Sequence, residues 1–365
     1  MSIAFTEMRR AKLKFGLLTG AVALLVFLVL FLTTLSTALV SSITGALQGV
    51  RGDVLVYADT ARDNLQASRL EPDVVQQVAA VPGVAAAGPL SLTTTSATLA
   101  DGGSDLQLVA MDATAPGAPT GLTSGALPTA DDEIAMDGGG VQIGDTVVVA
   151  DLAEPLTVVG LLKGAQFNAS ATGYVTEDTY GEVVRAANPN VPFVPINAVA
   201  VQGEAGVDPV ALAERVESEV AGTTGYTKSA AVDLIPGVAS ITQTFGILVG
   251  LTFVIGIVVI GFFFLILTVQ KMRAFTLLRA IGTSTGRLAG SVALQIAVVV
   301  LVASAIAVVL TLLAVQGLNT GIPVTLQPSL IIGTVLAVLV FSLLAGLLSI
   351  RRIARIDPAT AVGAR

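Results

Sequence analysis

The chain contains no cysteine, no histidine and no tryptophan. Without thiols no disulfide staples its parts, so any folded domain must be held by its own core. Without imidazole or thiolate there is no Ser-His-Asp or Cys-His nucleophile, no zinc site of the usual nitrogen and sulfur type, and no imidazole general base. No G-x-x-x-x-G-K-[ST] loop occurs either, which excludes binding of ATP in the P-loop manner by this chain alone. Neither catalytic residues nor a metal site are expected. Charge is scarce too: 12% of residues are Asp, Glu, Lys or Arg, against about 25% in ordinary soluble proteins.

What takes their place is apolar. The 365 residues are 53% hydrophobic, with a mean hydropathy of +0.84, a composition that predicts a membrane protein. Four runs reach the roughly 20 helical residues that a bilayer core demands: 15–39, 241–269, 288–315 and 330–350. Arg9, Arg10, Lys12 and Lys14 precede the first run as they would in a secretory signal. A signal's apolar core is about 7–15 residues, however, so this longer run is expected to be a retained anchor.

The few charges are strongly sorted. Four Lys or Arg precede the first run, four lie between Gln270 and Leu288, four follow Ile350, and seven fall in 40–240. That same segment holds 24 of the 26 acidic residues, a net charge of −17. The positive-inside rule then predicts cytoplasmic termini, a cytoplasmic 270–287 segment and a large outer domain. Its acidity argues against a nucleic-acid partner. The expected layout is a cytoplasmic amphipathic N-terminus 1–14, helix 15–39, outer domain 40–240, helix 241–269, segment 270–287, helix 288–315, short outer loop 316–329, helix 330–350 and cytoplasmic tail 351–365.

The outer domain reads as α/β. Helices are predicted over Glu71–Val81 and from the Asp208 N-cap with Pro209 at the first helical position. Strands are predicted at Asp53–Tyr57, Leu90–Leu99, Leu106–Met111, Thr146–Val149, Leu156–Leu161, Gly173–Val175 and Asn197–Val201. The Gly-, Pro-, Ala- and Thr-rich stretch Ala113–Gly140 reads as surface loop. Together these suggest a βαβ-type unit carrying a β-rich insertion around 100–175.

Within the basic segment Q-K-M-R-A-F-T-L-L-R-A-I-G-T-S-T-G-R-L (270–288), a helical wheel gathers Ala274, Leu277, Leu278 and Ile281 on one side, away from Arg273, Thr276 and Arg279. Gly282 fits a helix stop, and Thr283 or Ser284 a cap for the next helix. Spacing alone leaves two readings open: an interfacial turn whose arginines bind lipid phosphates, or a docking helix. Gly246 and Gly250 form a GxxxG pattern that suits close helix packing, within one chain or between two. Thr33, Thr37 and Gln243 near the outer ends of the first two runs are candidates for a substrate path, although membrane Ser and Thr commonly bond their own backbone.

K-M-R-A-F-T-L-L-R-A-I-G-T-S (271–284) resembles the inter-span segment of FtsX/MacB-type permeases of ABC transporters, and R-R-I-A-R-I-D-P-A-T-A (351–361) resembles their C-terminal tail. V-Q-I-G-D-T-V-V-V (141–149) and L-T-V-V-G-L-L (156–162) resemble the insertion in their outer domain. Lys271-Met272-Arg273 departs from the acidic residue common there. The N-terminal half is similar to the DevC/HrtB group, through F-T-E-M-R-R-A-K-L-K-F-G-L-L (5–18), L-L-V-F-L-V-L-F-L-T-T-L-S (24–36) and D-N-L-Q-A-S-R-L (63–70). The resemblance implies a separate ATPase that holds ATP and Mg²⁺ and docks on Arg273, Phe275, Leu277, Leu278, Arg279, Ile281 and Gly282. It implies a homodimer of permeases in a two-plus-two complex in the bacterial cytoplasmic membrane, and haem as a candidate exported substrate. With neither His nor Cys present, Tyr57 and Tyr174 are among the candidate oxygen ligands. Two further readings stay open: an FtsX-like transmitter that activates an outer cell-wall hydrolase without transport, and a membrane-anchored outer binding protein or enzyme with no ATPase.

Overall fold

A computed structural model describes residues 11–99, 102–150, 152–270, 277, 283–317 and 328–354, except for the side chains at 268, 285 and 345–354. It separates into two compact units, one running from Thr37 to Thr242 and one gathering the apolar helices. The first element, α1 (Lys12–Gln48), is 37 residues long. At 1.5 Å per residue that is about 55 Å, well beyond an apolar core of about 30 Å. Its last turns belong to the outer unit.

In chain order the outer unit then forms β1 (Val54–Ala58), α2 (Val74–Ala79), β2 (Val84–Leu99), β3 (Gly102–Ala110), β4 (Leu122–Gly125), β5 (Glu133–Asp137), β6 (Thr146–Val149), β7 (Leu156–Leu162) and β8 (Ala171–Val175). It is completed by α3 (Glu177–Ala187), β9 (Ala198–Gly203), α4 (Pro209–Glu219), β10 (Thr223–Thr227) and α5 (Lys228–Asp233). The strands share one sheet in the order β10-β1-β9-β2-β3-β8-β5-β7-β4, with β6 pairing both β2 and β7.

Two sub-structures are built on that path. In the first, β1 is antiparallel to both β10 and β9, and β9 is antiparallel to β2. Hence β1–α2–β2 and β9–α4–β10 are two split βαβ units interleaved as β10-β1-β9-β2, a ferredoxin-like arrangement. Sequence reading anticipated one βαβ-type unit but neither the second nor their interleaving. β1 is buried at every position because both faces are covered. Val54 and Val56 meet Val78 of α2 and Leu212 and Val216 of α4, while Leu55 and Tyr57 face a second core. The second sub-structure is the insertion. There β2, β3, β8, β5, β7 and β6 close a ring, since β6 bonds back to β2 at Ala97 and Thr98. Closure removes exposed strand edges and encloses Leu106, Leu108, Ile134, Met136, Val147 and Val158.

The predicted loop Ala113–Gly140 is corrected by this ring, because it contains β4 and β5. β5 has a short apolar run but pairs on both sides, with β7 and β8, so its neighbours provide the order that its composition does not advertise.

The apolar helices are α6 (Val238–Gln270), α7 (Thr285–Gly317) and α8 (Pro328–Ala354). Among the described residues three helices, α1, α6 and α7, are long and apolar enough to cross a bilayer. That is one fewer than the four expected: the predicted span 330–350 lies within helix α8, which is 27 residues long and whose described apolar stretch is Pro328–Leu344. One apolar core joins Val22, Val26 and Leu30 of α1, Ile260 and Phe264 of α6, Val292, Ile296 and Val299 of α7, and Val338 of α8.

Candidate functional site

The predicted docking segment lies outside the described residues, apart from Leu277, which is helical and 65% exposed. Its borders are described. At the entrance, Lys14 Nζ at the foot of α1 donates to Gln270 Oε1 at the foot of α6, at 2.9 Å. At the exit, the Ser284 carbonyl accepts from Arg287 N and Leu288 N, so Ser284 stands at the cap of α7 as its residue type suggests. Arg273, Phe275, Leu278, Arg279, Ile281 and Gly282 fall outside the described residues.

Gly246 and Gly250 are open. A Cβ built on either would meet no atom within 4 Å, whereas one on Gly256 would touch Leu25. The GxxxG pair therefore takes no part in the described packing within the chain. α6 is the least covered of the three long helices, with 17% of its most apolar window buried against 39% for α1 and for α7. Ile247, Leu251, Val254, Val258 and Phe262 are among its bare side chains.

The substrate-path candidates are dispersed. Thr33 Oγ1 donates to the Val29 carbonyl of its own helix at 2.7 Å. Thr37 is half-buried and Gln243 is exposed. Tyr57 and Tyr174 are core residues of the outer unit, each 1% exposed. The Tyr174 hydroxyl donates to Ala165 O at 2.8 Å. Burial, followed by the Asp137 charge, pushes its pKa well above the ordinary tyrosine value and keeps the hydroxyl protonated.

Tyr174 is one of several side chains that shape the loop after β7, and that loop grips the top of α1. The Asp137 carboxylate accepts from Ala165 N at 2.5 Å, and Thr172 Oγ1 accepts from Phe167 N at 2.9 Å. Asp137 and Thr172 are register partners on neighbouring strands, which puts them on one sheet face; Tyr174, two residues after Thr172, shares it. The loop in turn bonds α1: Gln166 O accepts from Ala46 N, and Asn168 N and Ala169 N donate to Ile43 O and Ser42 O, at 2.9–3.1 Å. Further along, Gly49 O accepts from Thr120 N and Oγ1, and Lys228 Nζ donates to Val50 O. A Cβ at Gly45 would lie 2.6 Å from Gly164 O, so glycine is what allows the loop to come this close. Sequence reading missed this grip. The pattern G-A-L-Q-G at 45–49, a second GxxxG at the end of an apolar run, is the signal that pointed to it.

Comparison with known proteins follows from these helices. Residues 246–358 match the FtsX-like permease C-terminal family. An uncharacterised ABC transporter permease of Mycobacterium tuberculosis is 27% identical over 318 residues, covering 85% of this chain and 84% of that protein. A putative hemin transport system permease protein HrtB of Staphylococcus haemolyticus is 23% identical over 250 residues, 66% of each chain. Among solved structures, the periplasmic region of MacB from Actinobacillus actinomycetemcomitans aligns with 52% of this chain and 96% of its own length, at 12% identity and a TM-score of 0.37. The apolar helices α6 to α8 thus lie largely within the stretch similar to the FtsX-like permease C-terminal family, and the chain is a multi-pass membrane protein similar over most of its length to an ABC transporter permease.

Proposed function

We propose that this chain is the permease subunit of an ATP-driven exporter of a hydrophobic or amphipathic compound. The observation that carries the reading is the FtsX-like permease domain at 246–358, which encloses the basic segment 270–288 in a chain without a P-loop. A separate cytoplasmic ABC ATPase, holding ATP and Mg²⁺, docks on Phe275, Leu277, Leu278 and Ile281, with Arg273 and Arg279 pairing to its acidic groups and Gly282 ending the helix. Two permeases and two ATPases form the working complex, with both termini of each permease in the cytoplasm. No Asp, Glu, Lys or Arg interrupts the central part of 15–39, 241–269, 288–315 or 330–350, so proton coupling and a charged ion filter are disfavoured. Lateral access from the bilayer suits an oily substrate.

Haem is the candidate substrate drawn from the HrtB relatives. With no His or Cys, and with the Tyr174 hydroxyl engaged by Ala165, a carboxylate, Tyr57 or apolar packing would have to hold it. The grip of the outer unit on α1 favours a second reading, an FtsX-like transmitter that activates an outer cell-wall hydrolase. Co-purification and liposome efflux test both. Leu278→Asp with Ile281→Asp is expected to abolish ATPase association and ATP-dependent efflux, and unchanged association sinks the docking assignment. Hydrolase activation without efflux of haem or any compound of an amphiphile panel selects the second reading.

A further inference from the structure

The outer unit contains a cavity of about 60 Å³ that the transport reading does not use. Its floor is made by the buried side chains of Tyr57, Phe167 and Ile235, and its mouth by the exposed Asp63, Asn168 and Pro236. We propose that this cavity binds a small primary ammonium group, with Asp63 as the counter-charge.

Four observations converge on it. First, the Tyr57 hydroxyl is buried without a hydrogen-bond partner, and such a group in a folded core points to an unrecorded polar occupant nearby. Second, the Asp63 carboxylate is held in place: its Oδ1 accepts from the Tyr226 hydroxyl, and the Tyr226 ring lies 5.2 Å from that of Tyr57. That leaves the second carboxylate oxygen for a donor at the mouth. Third, the non-glycine residues with positive φ among those described are Arg62, Asp63, Asn168 and Ala169, at 50°, 66°, 52° and 55°. They are two adjacent pairs far apart in sequence, each of which gives one residue, Asp63 and Asn168, to the lining of this cavity, and backbone strain of this kind gathers at ligand clamps. Fourth, the lining joins carboxylate, amide oxygen and aromatic rings, the combination that recognises an alkylammonium by charge, hydrogen bond and cation–π attraction.

Donor chemistry and depth narrow the ligand. A primary ammonium carries N–H donors for the carboxylate, amide and hydroxyl oxygens of the lining, whereas a trimethylammonium carries none. Asn168 in the cavity lining donates through its backbone N to Ile43 O, which lies about 6 Å along α1 beyond the end of its apolar run at Leu39. A bilayer's head groups occupy roughly that depth. The amine can therefore arrive on an ethanolamine lipid or as a free molecule.

Calorimetry on the purified full chain in detergent tests the site with three probes: ethanolamine, a short-chain phosphatidylethanolamine and the matching phosphatidylcholine. Saturable binding of both amines, with no choline-lipid binding, assigns a general primary-amine site, and binding of the ethanolamine lipid alone assigns the head group as the ligand. Asp63→Asn keeps the volume, the acceptor for Tyr226 and the tolerance of positive φ, so it folds. It is expected to weaken binding by at least about tenfold. Ala231→Leu, which fills the cavity floor, is expected to do the same while keeping the charge. Equal binding of the choline lipid, indifference to Asp63→Asn in a folded protein, or no amine binding at all overturns the proposal and leaves the cavity to water. None of these outcomes depends on whether the chain transports anything.

Discussion

Gly45 sits inside a helix, where alanine would ordinarily be more stable by about 0.5–1 kcal/mol. Here the sign reverses, because the added methyl would meet the Gly164 carbonyl at 2.6 Å. Gly45→Ala is expected to lower the melting temperature of the full chain in detergent, and a rise would show that α1 and the loop can separate without cost. Removing one oxygen by Tyr174→Phe leaves the buried Ala165 carbonyl without its donor, at a cost of about 1–3 kcal/mol. Asp137 behaves in the opposite sense. Burial raises its carboxyl above the ordinary range, against the lowering effect of the Ala165 and Gly164 amides and Lys163. A raised carboxyl pKa makes the ionised form the costly one, so stability from this group is present below its unfolded pKa and lost as pH rises through the folded one. Asp137→Asn, which keeps an acceptor for Ala165 N, is therefore expected to raise the melting temperature at pH 7, with the gain shrinking towards pH 4. A gain that grows on acidification refutes it. These roles were illegible in sequence, where Tyr174 read as a candidate ligand, because the atoms that define them come from β5, β8 and a loop brought together only by the closed ring.

Elements with their own start signals were legible. Asp208 caps α4 by accepting from Ala211 N, with Pro209 at the first helical position, as the pair D-P announces. Thr146–Val149 appears at the predicted bounds, and Leu156–Leu161 extends by one residue. α3 was missed although Thr176 accepts from Thr179 N and Glu177 and Asp178 occupy the first turn. Gly181 in its centre costs about 1 kcal/mol of helix propensity and obscures the periodicity. β10, T-T-G-Y-T, was missed for a related reason: a Cβ at Gly225 would lie 2.5 Å from the Ala213 carbonyl of α4, so packing imposes a residue that strand propensity disfavours. The caps offer a check at this scale. Thr176→Ala removes both the acceptor for Thr179 N and the hydroxyl given to Asp131, and should cost about 1 kcal/mol in denaturant unfolding. No loss would mean that α3 is held by packing alone.

At the scale of the molecule, the open face of α6 requires a partner or lipid. Apolar side chains facing acyl tails gain nothing by leaving them, so association between membrane helices depends on close backbone packing, which small residues permit. Gly246 and Gly250 provide such a strip, and it is bare among the described residues. For the proposed homodimer, this strip is the expected seam. The absence of cysteine makes the test direct, since one introduced thiol is the only one present. Ile247→Cys, at an exposed position beside the strip, is expected to cross-link two copies under mild oxidation in native membranes. Gly250→Leu in that background should abolish the cross-link and leave the melting temperature of the protomer nearly unchanged, because the new side chain meets open space in the single chain. Persistent cross-linking despite Gly250→Leu would place the contact on another face, and a collapse in protomer stability would mean that the strip packs against its own helices after all.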